Sequence, residues 1–458
     1  MKKEIIQIKG PKIFEKRVLS FEIISSKNLE KYFSSKNLII EYPADIASLD
    51  PSINRIPALA SIITVAWIVG ADVSVESIDH NYFKSINEIK SVMKKWYPPL
   101  SFSSEIITRE VNNHSPASQT NKYGLLYSAG LDSTTSYIKH RKKDLILFSI
   151  SGQGESIDNQ LTTEKILIPL PEKKEKFYLI KTNIENVINR SLIQEKYGLN
   201  WWMNLSHGIV LSGHCAPLTY LHGISTLFLA SSFTSDFNYA WGSHPLIDNK
   251  IRWANTKIVH DGFDTTRQEK IKHILKKYIN ETGEYPKLKV CSNYQIRGQN
   301  CSKCEKCSRT IVGLLSEAID PDKCGFNITP GTLSYIKKSL QNGGFFGRRG
   351  IAERSVKLID RIYPIFEWED IQRHLPEQIN WDDNYGSMNF LNWFRHFDIR
   401  RRATRINLHK FPQLILYSFF DFLAPASPIL PKKIQNLLRF VFNRLFLNKK
   451  SYSHIFSN

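Results

Sequence analysis

The spacing of apolar positions divides the chain into three stretches. In residues 1–115, segments 5–8 and 18–23 read as strands, the second by alternation of apolar and polar positions. Residues 58–69 are apolar on nearly every side and predict a buried helix, followed by a short strand at 73–75. Phe83, Ile86, Ile89, Val92 and Met93 recur at helical spacing through 82–96, and Tyr97-Pro98-Pro99 ends that helix. The polar stretch 112–122 predicts a linker. From 121 to 290 strand and helix patterns alternate, with strands at 123–127, 145–150, 177–180 and 226–230 and helices at 135–143 and 205–220. Such alternation predicts a parallel sheet with helices on its faces. Beyond residue 310 the pattern is helical, from 311–319 to an amphipathic segment carried by Ile434, Leu437, Leu438, Val441 and Leu445. The expected fold class is α/β: a doubly wound parallel-sheet domain at 121–315, an α+β region before it at 1–115, and a mostly helical region after it at 320–458.

Composition narrows the class without naming a chemistry. The 458 residues exceed one ordinary domain, and 42% apolar with 23% charged residues is the balance of a soluble globular protein. The longest apolar run, 56–69, contains Pro57 and Ser61 and is short for a membrane span. Met1-Lys2-Lys3-Glu4 does not open a secretory signal, so a cytoplasmic location is expected. The net charge of +19 is uneven, since residues 391–458 hold twelve Lys and Arg against two Asp. A basic surface can attract nucleic acid or anionic lipid, although solvated charge is its commoner explanation.

Chemistry concentrates in Tyr127-Ser128-Ala129-Gly130-Leu131-Asp132-Ser133-Thr134-Thr135-Ser136-Tyr137, a turn of small hydroxylated residues between a strand pattern and a helix pattern. Backbone N–H groups, hydroxyls and the positive end of a helix would meet there, a combination suited to phosphate or pyrophosphate. Plain helix capping by Ser and Asp is the competing explanation. No Walker lysine follows the glycine. Ser151-Gly152-Gln153-Gly154 closes the next strand, where open α/β sheets place ligands. Two further polar clusters follow, 242–248 with Ser243, His244 and Asp248, and 260–267 with Asp261 and Arg267; each also reads as an ordinary turn. His207 and His214 read as packing or capping residues. Cys291, Cys301, Cys304 and Cys307 have the C-x9-C-x2-C-x2-C spacing of a closed structural zinc site, with an iron–sulfur cluster or free thiols as the rivals. Cys215 and Cys324 are isolated. No Ser-His-Asp or Cys-His arrangement is evident along the sequence.

Ser128-x-Gly130-x-Asp132-Ser133 is similar to the pyrophosphate loop of the N-type ATP pyrophosphatases. With the Gly152-Gln153 pair, the cysteine cluster and Arg309 two residues beyond it, the stretch 121–315 resembles the 7-cyano-7-deazaguanine synthases. The resemblance implies a nucleotide-hydrolase-like (HUP) core that binds ATP and Mg²⁺ along residues 127–137 and Zn²⁺ at the four cysteines. It implies that Ser128, Gly130, Ser133 and Thr134 hold the β- and γ-phosphates, and that Asp132 orients the loop or helps hold Mg²⁺. Gln153, Ser243, His244, Asp248, Asp261 and Arg267 are the substrate candidates. The implied reaction adenylates a deazaguanine-like carboxylate, releases pyrophosphate and forms an amide or nitrile with ammonia; a nucleic-acid or protein acceptor stays open. Related proteins also resemble components of antiphage operons. A sulfur- or amine-using tRNA-modifying enzyme and a non-catalytic ATP- or RNA-binding scaffold are the alternatives. Three features depart from the family: Ala129 stands where it has a second glycine, the first cysteine gap is one residue longer, and the outer regions have no counterpart.

Overall fold

The computed structural model describes residues 3–98, 100–114, 121–152, 176–291, 299–346, 359–381 and 383–407. Gln153, Gly347-Arg348-Arg349, most of the expected linker and the 434–445 segment lie outside the described residues. The strands are β1 (Ile5–Phe14), β2 (Val18–Ser25), β3 (Asn37–Glu41), β4 (Asp72–Asp79), β5 (Ile106–Asn112), β6 (Lys122–Leu126), β7 (Asp144–Ser151), β8 (Lys176–Thr182), β9 (Thr226–Ala230), β10 (Arg252–Trp253) and β11 (Thr256–Asp261). They form one mixed sheet in the order β10-β11-β9-β6-β7-β8-β3-β2-β1-β4-β5.

The expected parallel sheet is its middle, where β11, β9, β6, β7 and β8 run parallel. The N-terminal strands continue that sheet, because β3 pairs antiparallel with β8 through Ile40–Thr182 and Glu41–Lys181. The stretch 112–122 thus joins two parts of one sheet. Strands β3 and β5, and β11, whose last two residues open the polar cluster expected at 260–267, escaped the sequence reading because their exposed positions interrupt the apolar runs.

The helices that frame the sheet are α1 (Ile56–Val69), α2 (His80–Trp96), α3 (Leu131–His140), α4 (His207–His214), α5 (the consecutive segments Arg267–Glu269, Lys270–Leu275 and Lys276–Thr282, the middle one π-wound), α6 (Glu305–Ser316), α7 (Thr332–Gln341), α8 (Ile359–Arg373), α9 (Ser387–Arg395) and α10 (Ile399–Asn407). Alternate residues of β6, β7 and β9 feed two cores on opposite faces. Leu126, Phe148 and Leu227 pack with α1 and α4, whereas Leu125, Leu147 and Phe228 pack with α3, α5 and α6. Burial on both faces explains why these strands read as continuous apolar runs. Helix α1 is buried along almost its whole length and approaches α4 so closely that a Cβ on Gly213 would sit 2.5 Å from the Ala60 Cβ. The helix expected at 205–220 is broken into a π-wound turn, Trp201–Ser206, then α4, then Ala216–Leu221, since Pro217 cannot donate to the ladder. Among the described residues no helix is long and apolar enough to cross a membrane.

Candidate functional site

In sequence the chain runs β6, β7, β8 toward one side of the sheet and then returns to lay β9 and β11 on the other side of β6. The carboxyl ends of β6 and β9 therefore border the switch point, the usual ligand crevice of an open α/β sheet. The turn after β6 lies there. Its helix starts four residues earlier than the spacing predicted, at Leu131, with Gly130 as N-cap and no side-chain cap. An uncapped first turn leaves leading N–H groups unsatisfied by side chains. Ala129 holds φ +55°, the left-handed conformation that favours glycine, and its carbonyl accepts a hydrogen bond from Lys289 N (2.7 Å). Gly130, by contrast, has φ −68° and needs no glycine.

The expected phosphate contacts divide. Ser128 is exposed at the turn. Ser133 is turned inward, 3.2 Å from Ser128 N and 3.2 Å from Gly130 O. Thr134 is fully buried, and its hydroxyl has no partner among the described residues. Thr135 donates to Leu131 O, Ser136 donates to Asp261 Oδ2 (2.5 Å), and Tyr137 packs edge-on against Tyr127. Leu131 is buried in the core. What the turn offers an anion is backbone plus Ser128, and the later residues of the motif anchor the helix. Gly152 ends β7 with φ +92°, and a Cβ there would meet Thr182 O at 1.7 Å, so only glycine fits.

Asp132 faces cations. Arg267 Nη2 lies 2.7 Å from its Oδ2 and Lys270 Nζ 2.9 Å from its Oδ1, while Lys270 also donates to Ser231 O (2.8 Å). Burial alone would raise the Asp132 carboxyl, but Arg267 and Lys270 hold it below the ordinary carboxylate value. Asp132, expected to orient the loop or help hold Mg²⁺, is thus an ion-pair partner with both oxygens engaged. Arg267, expected to meet substrate, is the residue that pairs with it. Lys270 was missed: it sits in the π-wound segment, where apolar spacing gives no warning of which side chain turns inward.

The cation cluster continues into α6 and α8. Glu367 Oε2 is 3.4 Å from Arg267 Nε and 3.2 Å from Arg309 Nη1, and the Arg309 guanidinium lies over the Tyr363 ring at 5.5 Å. Burial, followed by Arg309 and Arg267, lowers the Lys306 amine, and burial raises the Glu305 carboxyl. Tyr363 donates to Ser232 O (2.7 Å) and packs against Phe233 and Phe237, so α8 lies over the segment that follows β9.

The remaining substrate candidates are tied into a buried relay. Asp248 Oδ2 accepts from Ser243 Oγ (2.6 Å) and lies 2.7 Å from His260 Nδ1, while His260 Nε2 lies 2.7 Å from Ser231 Oγ. These spacings are those of a Ser-His-Asp set that no stretch of sequence displays, because its members come from the ends of β9 and β11 and the loop between them. Ser231 Oγ also approaches Phe233 O at 2.6 Å and Ser231 is 1% exposed, so the set clamps the 231–248 loop across the sheet. Asp248 and Ser243 are thus bonded to each other within this set, both buried. His244 caps Leu246 N through Nδ1 and meets Asn238 through Nε2, and burial pushes its pKa down to about 4. Asp261, expected in a loop, ends β11 and lies under α3 against Ser136, Lys139 and His140. Burial opposes its ionisation, and the hydrogen bonds from those three residues hold its carboxyl far below the ordinary value.

The four cysteine sulfurs lie within 4.8 Å of one another, with Cys291–Cys304 at 3.9 Å and Cys301–Cys307 at 3.8 Å. A tetrahedral ion with metal–sulfur bonds near 2.3 Å requires sulfur separations of about 3.8 Å. Cys304 N donates to Cys301 Sγ (3.1 Å), and Asn300 fastens the strand of Cys291 through Val290 N and Cys291 N. The donor set fits a structural metal such as zinc. Cys307 and Arg309 share α6, so the metal knuckle fixes the arginine that meets Glu367. Compared with known proteins, the sequence matches no family model and no curated protein.

Proposed function

We propose that the core is a PP-loop (HUP-type) ATP pyrophosphatase and that the protein is an ATP-dependent ligase acting on a carboxylate of the deazaguanine type. The observation that carries this reading is the convergence at the switch point: an uncapped helix N-terminus after β6, beside the cations Arg267, Lys270 and Arg309. Such a site binds polyphosphate through backbone N–H groups and charge. The backbone of residues 129–133 and the Ser128 hydroxyl would hold the β- and γ-phosphates, and Lys270 and Arg267 would offset charge on the departing pyrophosphate. Asp132 keeps these two cations in position. Mg²⁺ would arrive with the nucleotide.

In the proposed reaction a carboxylate oxygen attacks the α-phosphorus and pyrophosphate leaves. A nitrogen nucleophile then attacks the activated carbon and AMP leaves. This chemistry asks for positioning and charge stabilisation rather than a protein nucleophile. The cysteines favour nitrogen over sulfur: Cys215 and Cys324 are buried, burial pushes the Cys215 thiol far up and the Cys324 thiol up to about 12, and the other four form the cluster.

The test is pyrophosphate release from ATP and Mg²⁺ with 7-carboxy-7-deazaguanine and ammonium. Release by the wild type that requires the acid, and drops at least 100-fold in Asp132→Asn, is expected. Acid-independent release, or none despite bound ATP, would reject the assignment.

A further inference from the structure

Helix α8 belongs to the C-terminal region and holds no place in the proposed reaction, yet it supplies an acid, Glu367, that touches both Arg267 and Arg309. All three side chains are nearly enclosed, at 13% exposure for Arg267 and 3% each for Arg309 and Glu367. The contacts are close without being directed. Arg267 Nε, Arg309 Nε and Arg309 Nη1 have no aligned hydrogen-bond acceptor among the described residues, although Glu367 lies within 3.4 Å of Arg267 Nε and 3.2 Å of Arg309 Nη1, and Glu305 Oε1 lies 3.5 Å from Arg309 Nε. Buried guanidinium N–H groups left unaligned are costly, and a planar fork is best satisfied by two oxygens of one oxyanion. Glu367 supplies the charge of such a ligand without its geometry.

Space points the same way. The cavity between α5, α6 and α8, bordered by Arg267, Gln268, Arg309, Thr310, Glu367 and Asp370, is ≈ 10 Å³, room for about one water. A phosphate group needs α8 displaced. At this end α8 is held by Tyr363 Oη to Ser232 O (2.7 Å), Gln268 N to Asp370 Oδ2 (3.1 Å), the Glu367 pairs, and the packing of Tyr363 and Phe366 on Phe233 and Phe237, while Trp368 and Ile371 bury its next turn.

We propose that α8 is an acidic latch, in which Glu367 stands in for a phosphate oxygen between Arg267 and Arg309, so that polyphosphate and α8 compete for the same two arginines. The inference rests on the reading of this crevice as a nucleotide site and adds its regulation. Binding of polyphosphate releases the Tyr363 end of α8, and whatever stabilises α8 in place lowers affinity for nucleotide.

The experiment titrates the full-length protein with Mg²⁺-pyrophosphate by calorimetry. Glu367→Gln is expected to bind at least tenfold more tightly than the wild type. Tyr363→Phe, which loosens α8 without changing charge, is expected to bind more tightly by a smaller factor. Glu369→Gln, on the same helix but paired with Arg400 at the surface, is expected to leave affinity unchanged. Pyrophosphate should also speed amide exchange in 363–373 of the wild type. Glu367→Gln that is folded by circular dichroism and binds no more tightly overturns the latch. So does tightening in Glu367→Gln alone, with Tyr363→Phe and α8 exchange unmoved, because that is charge repulsion without displacement. Tight pyrophosphate binding by the loosened variants with no acid-dependent release from ATP upholds the latch and rejects the ligase. Acid-dependent release with unchanged affinities does the reverse, and no binding by any variant rejects both.

Discussion

Ala129 and Ala58 are equally enclosed, at 1% and 0% exposure, but their backbones differ. Ala129 stands at φ +55° in the turn, whereas Ala58 lies in α1. Left-handed backbone costs an L-residue about 1–2 kcal/mol. Removing a buried methyl costs about 0.8 kcal/mol, and the looser unfolded chain costs about 0.4–1 kcal/mol. The terms nearly cancel, so Ala129→Gly is expected to change stability by less than about 1 kcal/mol. At Ala58 helix propensity adds to the lost methyl, and Ala58→Gly is expected to cost about 2 kcal/mol. Urea unfolding of both variants decides the matter, and an equal cost at the two sites would show that Ala129 carries no strain. The sequence could reveal that a glycine-like position had been filled by alanine, but not that the chain would keep the left-handed geometry there. The same limit applies to Asp132, whose spacing announces a polar turn while its partners Arg267 and Lys270 lie more than a hundred residues away and come to it only through the sheet.

At the scale of elements, legibility followed how locally each element is determined. Strands β7 and β9, buried on both faces, and α1, apolar all round, were readable because burial alone writes their pattern. Helix α3 was misplaced because Ser133 and Thr134 look like caps yet lie inside its first turn, where Ser133 bonds back to Gly130 O. The cysteine knuckle was legible because two-residue gaps encode its geometry. What the spacing did not disclose is that α6 leaves the knuckle carrying Arg309 toward Glu367. Metal removal should therefore loosen the arginine site as well as the knuckle. One zinc per chain by elemental analysis, with a chelator lowering the melting temperature and weakening pyrophosphate binding, is the expected result. Cys301→Ser should reproduce both losses, since structural zinc binding contributes folding free energy directly. A metal-free protein with unchanged melting and binding would detach the knuckle from the site.

Across the described residues the N-terminal strands and the central parallel strands share one sheet and one apolar cluster. Their seam is polar at chosen points: Trp201 Nε1 donates to Thr64 Oγ1 (2.9 Å), and Tyr42 Oη donates to His214 O (3.0 Å). Cutting such a seam strands buried donors, so Thr64→Val is expected to cost about 1–3 kcal/mol while leaving a single unfolding transition. Two separate transitions in the wild type would mean that the halves fold independently. His214 at this seam also sets an acid response. Its ring meets Val210 O through Nδ1 (2.8 Å) and Thr182 Oγ1 through Nε2 (3.3 Å), which suits the neutral imidazole, and burial lowers its pKa to about 4. In the unfolded chain the same ring takes up a proton below about 6.5. Between pH 6.5 and 4 the unfolded state binds more protons, so stability falls as pH drops through that window and levels off below it. From pH 7 to pH 5 the loss from this one residue is about 2 kcal/mol. His214→Gln should be less stable at pH 7 but should lose about 2 kcal/mol less than the wild type on going to pH 5. Parallel pH dependence in the two proteins would mean that His214 takes up its proton in the fold as readily as in the unfolded chain, and that the seam tolerates an imidazolium.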